Sequence, residues 1–216
     1  MGLEPNLITT QIESKDTLVE LFQAVKRINN IILNLDRDMW LYISQDYFSL
    51  KKKDSEVGSS TMPHKINPID FENSEGNIKL ANSLFTGFEE LQISRMQRDL
   101  SDSTIMRNIG VAFSHSMLGY DSALAGLHKV KPKKEIIDMD LKKHPEVLTE
   151  AIQIILRKHK IRDAYEKLKE LSRGKNLSLD DLRNFIKKLD IDKKDKERLL
   201  NLYPNDYTGL ADKLTM

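Results

Sequence analysis

Apolar residues recur at steps of three and four between residues 15 and 44: Leu18, Leu21, Phe22, Val25, Ile28, Ile32, Leu35 and Met39. That spacing lines one side of a helix. Ser14 or Asp16 is placed to cap its start. Trp40, Tyr42 and Ile43 widen the apolar face near its end, which suits a long bundle or a subunit interface. Residues 45–58 are polar, contain Lys51, Lys52 and Lys53, and read as a connection. Helical periodicity returns over 69–92 through Ile78, Leu80, Ala81, Leu84, Phe85, Phe88 and Leu91. It returns again from Ser101 or Asp102 to about residue 127, through Ile105, Ile109, Ala112, Phe113, Met117, Tyr120 and Leu124.

Residues 128–134 gather Pro132 and four lysines and mark a boundary. Beyond it the pattern predicts shorter amphipathic helices. Pro145 opens one over 145–158, at a tolerated first-turn position. A second covers 162–172 and ends at Arg173-Gly174. A third covers 178–189 and begins Ser178-Leu179-Asp180-Asp181, a strong cap signal. A fourth covers 192–202, before Pro204. No segment alternates as a strand would, and no repeat is evident. The expected fold is all-α, with domains at 1–133 and 134–216.

Composition narrows the function. Lys+Arg numbers 34 and Asp+Glu 33, a net charge of +1, without the dominant basic face that nucleic-acid binding needs. No apolar run reaches the roughly 20 residues of a membrane span. The composition is that of a soluble protein, so neither nucleic acid nor membrane is an expected partner. There is no cysteine, which excludes disulfides, thiolate metal sites and cysteine nucleophiles. The first residues lack a secretory leader pattern. No His/Asp/Glu group has metal-ligand spacing, so no metal or other cofactor is expected.

One loop carries chemistry: Gly58-Ser59-Ser60-Thr61-Met62-Pro63-His64-Lys65-Ile66-Asn67-Pro68. Glycine and proline shape a tight backbone. Ser59, Lys65 and Asn67 offer a hydroxyl, a cation and an amide over a short span. Exposed peptide N–H groups beside them suit a carboxylate and a developing negative charge. An ordinary surface loop has the same composition. A second group is Arg98, Ser103 and Arg107. Ser103 and Arg107 are four apart and share a helix face, and Arg98 precedes the helix start. Two guanidiniums and a hydroxyl at a helix amino terminus suit a phosphate, although taken alone the residues fit surface ion pairs with Asp99 or Asp102 better.

The loop resembles the signature of the fumarase/aspartase superfamily, G-S-S-x-M-P-x-K-x-N-P. The following residues, Ile69-Asp70-Phe71-Glu72-Asn73-Ser74-Glu75-Gly76-Asn77, are similar to the bacterial-type adenylosuccinate lyase branch. The similarity continues through 95–104 and 165–175 and covers nearly the whole chain. It implies a long-helix bundle, of which 1–133 is the later part of the central domain and 134–216 the small carboxy-terminal domain. It also implies a β-elimination that releases fumarate from adenylosuccinate, leaving AMP, and from SAICAR, leaving AICAR. By position in the motif, Ser59 is the catalytic base. Lys65 and Asn67 hold the succinyl carboxylates, and Ser60 and Met62 adjoin the substrate. The resemblance assigns Gln11, Asn73, Arg98, Ser103, Thr104, Ile105, Met106 and Arg107 to substrate and nucleotide. His64 takes a structural or tuning role. His115, His128, His144 and His159 match no catalytic position, and His159, between two lysines, is expected to face solvent.

Family members are longer, and their amino-terminal half carries the general-acid histidine. The chain is therefore expected to act with that half, in a cytoplasmic homotetramer with composite sites, and to be inactive alone. Two other functions remain open at this stage. One is a non-catalytic nucleotide-binding or oligomerisation fragment. The other is a different fumarate-releasing lyase of the superfamily.

Overall fold

The computed structural model describes residues 2, 4–9, 11–51, 67–93, 95, 101–161, 166, 168, 169 and 177–214. They form helices and one small antiparallel strand pair, and fall into two units, 1–133 and 134–216.

The first unit is built on helix α1, Asp16–Ser44. At its start neither Ser14 nor Asp16, the two expected caps, takes the N-cap position, which Lys15 holds. Glu13 accepts from the Lys15 N–H at 2.6 Å, while Ser14 Oγ lies 3.5 Å from the Asp16 N–H. Its end is a Schellman motif. Asp46 adopts φ 66, its N–H donates to Ile43 at 3.1 Å, and the Tyr47 N–H donates to Tyr42 at 2.9 Å. The connection expected after α1 contains strand β1, Phe48–Leu50, paired with β2, Val130–Pro132. This corrects the expectation of no strand. Three residues are too few for alternation to show, and Pro132 can sit there because it ends an edge. An Asp46–Lys133 ion pair closes the ribbon.

Helix α2, Ile69–Phe88, continues as a 3₁₀ turn, Glu89–Gln92. The helix expected over 101–127 is broken. Ser101–Met106 forms α3, Arg107 and Asn108 make a turn, and Ile109–Lys129 forms α4. The Asn108 side chain donates back to the Thr104 carbonyl at 2.8 Å, competing with the helical ladder there.

Helix α2 packs against both α1 and α4, most extensively α4. One end of this core is aromatic. Phe22 on α1 lies 5.4 Å from Phe85, 5.7 Å from Phe88 and 6.2 Å from Phe113, measured between ring centroids. Val19, Ala81, Leu91 and Ala112 complete the cluster. Elsewhere the buried faces differ from those the large apolar residues suggest. On α4 the buried positions are Ala112, Ser116, Gly119, Ala123 and Gly126, whereas Met117 and Leu124 are exposed. On α1 the positions seven and fourteen beyond Phe22 are the buried polar residues Asn29 and Asp36. Leu21, Ile28, Ile31 and Trp40 are exposed.

The small residues of α4 have a steric cause. A Cβ on Gly119 would lie 2.5 Å from Ile78 Cγ1 and 3.3 Å from the Ser74 carbonyl, and one on Gly126 would strike the Phe71 ring at 2.8 Å. Gly119→Ala is therefore expected to destabilise. Overpacking by about 1–3 kcal/mol exceeds the roughly 1 kcal/mol of improved helix propensity, leaving a net loss of about 1 kcal/mol. Urea unfolding checks it, as a lowered midpoint at unchanged slope.

The second unit consists of α5, Lys134–Lys143; a 3₁₀ turn, Pro145–Val147, leading into α6, Leu148–Lys158; α7, Leu179–Lys187; α8, Lys193–Leu200; and a last turn, α9, Ala211–Leu214. The expected helix over 162–172 falls largely outside the described residues. Leu148, Ile152, Leu156, Leu182, Ile186 and Leu199 centre the core. The predicted cap at Ser178 is a reciprocal capping box. The Asp181 N–H donates to Ser178 Oγ at 3.1 Å, and the Ser178 N–H donates to Asp181 Oδ2 at 3.0 Å. Among the described residues no helix is long and apolar enough to cross a membrane.

Candidate functional site

Of the residues predicted to carry chemistry, Ser59, Ser60, Met62, His64, Lys65 and Arg98 lie outside the described residues. The described end of the signature turn runs straight into α2. The Asn67 carbonyl accepts from the Ile69 N–H at 2.9 Å, and the Pro68 carbonyl accepts from the Glu72 N–H at 3.1 Å. Pro68 is buried and Asn67 half-buried. Asp70, on the first turn of α2, pairs with Lys129 at the end of α4 at 2.7 Å. The described end of the turn, Asn67 and Pro68, thus lies where two packed helices meet.

One turn further along α2, Asn73 is exposed and bonded to two other polar side chains, one of which a third holds in turn. Its Nδ2 donates to Ser122 Oγ at 2.7 Å. Asn77 Nδ2 donates to Asn73 Oδ1 at 3.1 Å and to the Asn73 carbonyl at 2.9 Å. His115 Nδ1 lies 2.9 Å from Asn77 Oδ1. Ser122 and His115 belong to α4, so both helices fix the orientation of Asn73.

Ser103 and Arg107 keep their helical relation although α3 is short. The Arg107 N–H reaches the Ser103 carbonyl at 3.3 Å, so the hydroxyl and guanidinium rise from adjacent turns. Arg107 is exposed, and Met106 is 42 % exposed. Thr104 is exposed too, whereas Ile105 packs against the aromatic core. Gln11 is exposed in the segment before α1. Sequence reasoning placed phosphate at the start of one long helix. The structure gives a six-residue helix followed by a turn, so Arg107 stands at the break instead of within a helical face.

The sequence reading missed two buried polar groups. Asn29, fully buried, donates to Asn82 Oδ1 at 2.8 Å and Ser116 Oγ at 3.1 Å, and accepts from the Tyr120 hydroxyl at 2.5 Å. Burial raises the Tyr120 pKa, and the Ser116 hydroxyl partly opposes the rise. Asp36, 1 % exposed, has no hydrogen-bond partner for either oxygen among the described residues, and neither has Ser74 Oγ. Burial lifts its pKa to about 6, and the Glu75 carboxylate adds to the rise. The Ser74 hydroxyl opposes the shift, though its geometry falls short of a hydrogen bond. A search for three- and four-residue apolar periodicity passes over both groups. Their spacing of seven and fourteen residues from Phe22 is the signal that could have found them.

In the second unit His159 does not face solvent as expected. Its Nε2 lies 2.7 Å from Asp195 Oδ2 and 3.2 Å from Asp192 Oδ2. The three residues bring potential ligand atoms within 4.8 Å of one another, a grouping that their spacing in sequence concealed. Lys158 donates to the same Asp195 oxygen at 2.6 Å, and Asp192 Oδ1 caps α8 through the Asp195 N–H at 2.7 Å. The Lys158 hydrogen bond and then that of His159 hold the Asp195 pKa down to about 2. Cation and cap together make this a clasp between the end of α6 and the start of α8.

Two family profiles match the chain, and one of them spans parts of both units. The family profile "Adenylosuccinate lyase C-terminal" matches residues 94–208, and the profile "Lyase" matches residues 2–81. An adenylosuccinate lyase of Legionella pneumophila (strain Corby) is 51% identical over 215 residues, which is 99% of this chain and 47% of that protein. One of Buchnera aphidicola subsp. Baizongia pistaciae is 47% identical, with the same shares. That of Escherichia coli (strain K12) is 44% identical over 212 residues, 98% of this chain and 46% of that protein. The chain spans about half the length of the curated relatives it matches.

Proposed function

Since the chain belongs to the adenylosuccinate lyase family, we propose that it supplies part of a lyase that eliminates fumarate from adenylosuccinate and from SAICAR, leaving AMP and AICAR. The observation that carries the proposal is the identity of 44% to 51% along 98–99% of the chain, together with the intact serine-lysine-asparagine turn.

In this reading Ser59 Oγ, as alkoxide, takes the proton from the carbon next to a succinyl carboxylate. The electron pair passes first into that carboxylate, forming an aci-carboxylate. The pair then returns to form the carbon–carbon double bond as the C–N bond breaks. The departing nitrogen takes a proton from an acid outside this chain. A serine hydroxyl is a weak base near neutrality, so Lys65 and the turn's N–H groups are needed to stabilise the alkoxide. Lys65 and Asn67 hold the succinyl carboxylates, where charge is most concentrated in the transition state. Arg98, Ser103 and Arg107 take the phosphate, and the exposed amides of Asn73 and Gln11 contact the remaining polar groups.

The partners are the amino-terminal half of such an enzyme and further copies, as a cytoplasmic homotetramer serving purine synthesis. Residues 1–133 belong to its central bundle and 134–216 to the small carboxy-terminal domain. The pattern of exposure supports the assembly. Leu21, Ile28, Ile31, Trp40 and Leu41 on α1, with Met117, Leu118 and Leu124 on α4, present large side chains outward, and the buried residues of α4 are all small. Faces of this kind mark contact surfaces.

An ultraviolet assay of fumarate release tests the proposal. The chain alone is expected to release none. With the amino-terminal half of the Legionella relative it is expected to turn over both substrates. Binding of adenylosuccinate by that mixture without fumarate release would contradict the reading.

A further inference from the structure

The polar chain behind Asn73 has a direction that the backbone sets. The Asn73 carbonyl can only accept, and it lies 2.9 Å from the Asn77 amide, so the Asn77 atom facing it must be Nδ2. Three assignments follow in order. Asn77 Oδ1 turns toward His115, whose Nδ1 at 2.9 Å must therefore carry a proton. The Asn73 atom 3.1 Å from Asn77 Nδ2 must be the acceptor, Oδ1. Asn73 Nδ2 then faces Ser122 Oγ at 2.7 Å. Every bond donates the same way, from His115 through Asn77 and Asn73 to Ser122. Reversing the chain would set Asn77 Oδ1 against the Asn73 carbonyl, oxygen against oxygen.

Only one N–H of Asn73 Nδ2 is used in this arrangement. Asn73 is exposed, so the other is free to face outward. We propose that His115 is a positioning residue for the lyase. Its Nδ1–H holds Asn77 from the far side in the orientation that the Asn73 carbonyl sets, and through Asn77 it steadies the Asn73 amide so that an N–H, not the oxygen, is presented to an acceptor on the substrate. This rests on the assignment of Asn73 to the substrate made above. His115 is half-buried on α4, makes its hydrogen bond among the described residues to Asn77, and enters no step of the elimination. The substrate group concerned is an oxygen or ring nitrogen with a free lone pair. A chain of aligned donors polarises each member, so loss of the first donor weakens the last.

The test uses the lyase assembled from this chain and the amino-terminal half of the Legionella relative. Asn73→Ala sets the scale and is expected to raise KM. His115→Leu is expected to raise KM for adenylosuccinate roughly fivefold to tenfold, the worth of one hydrogen bond, with kcat changed less than about twofold. His115→Asn, whose amide can place an N–H near the Nδ1 position, is expected to restore most of the affinity. Added to Asn73→Ala, His115→Leu is expected to have no further effect. A raised KM for Asn73→Ala with none for His115→Leu overturns the relay and leaves the Asn73 assignment standing. An unchanged KM for Asn73→Ala overturns both. If His115→Leu fails to fold, imidazole ¹⁵N shifts of the unaltered protein in mildly alkaline buffer decide. The Nδ1–H tautomer is expected, and the Nε2–H tautomer would overturn the proposal.

Discussion

Ser59→Ala in the assembled lyase is expected to lower kcat roughly a thousandfold, within the range that a positioned general base contributes. Adenylosuccinate binding is expected to survive. Lys65, Asn67, Arg107 and Asn73 would still hold carboxylates, phosphate and polar groups, and the serine hydroxyl adds little to ground-state affinity. The loss therefore falls on kcat, and KM moves little, as expected for a group that acts only in the transition state. Steady-state fumarate release and equilibrium binding of adenylosuccinate measure the two halves of the expectation. Turnover within about tenfold of the unaltered enzyme would remove Ser59 from the role of base.

Asp36→Asn is expected to stabilise the protein at neutral and alkaline pH. Asp36 titrates near 3.8 when unfolded and near 6 when folded, because burial disfavours its charge. Between those values the folded state holds the extra proton. Stability therefore falls as pH rises through that window, and the loss is complete above about 6. The difference of about two pH units corresponds to at most about 3 kcal/mol. Asparagine matches the shape of the protonated carboxyl and cannot ionise. The variant should approach the parent's stability below pH 3.8 and exceed it most above about 6. Urea unfolding at acid and alkaline pH checks the sign. A variant less stable than the parent in alkaline buffer would show that Asp36 is held as the anion.

The sequence was most readable where local chemistry alone decides the structure. The three- and four-residue steps gave α1 its length, and Ser178 with Asp181 announced the start of α7. It was least readable where tertiary contact decides. Apolar size pointed to Met117 and Leu124 as core, but the approach of α2 admits only small residues, so Gly119 and Gly126 are inside. Helix α5 was missed because its many charges and neighbouring lysines read as a boundary. The break at Asn108, where its N–H turns to the Ile105 carbonyl and its side chain takes the Thr104 carbonyl, leaves the apolar period unchanged.

The candidate site divides in the same way. Ser59, Lys65 and Asn67 were visible as a contiguous motif, and Ser103 with Arg107 as a four-residue step. The company of Asn73 was not visible. Asn77 and His115 lie 38 residues apart and meet only because α2 and α4 are packed together. Asp36 and Ser74 likewise meet only across α1 and α2, as do His159 and Asp195 across α6 and α8.

The most direct measurement is the position of adenylosuccinate in crystals of the assembled lyase carrying Ser59→Ala, which should trap the intact ligand. The expected density places the succinyl group against residues 58–68 and the phosphate within hydrogen-bond reach of Ser103 and Arg107. A nucleotide bound away from both would contradict the assignment of this chain to the lyase's active site.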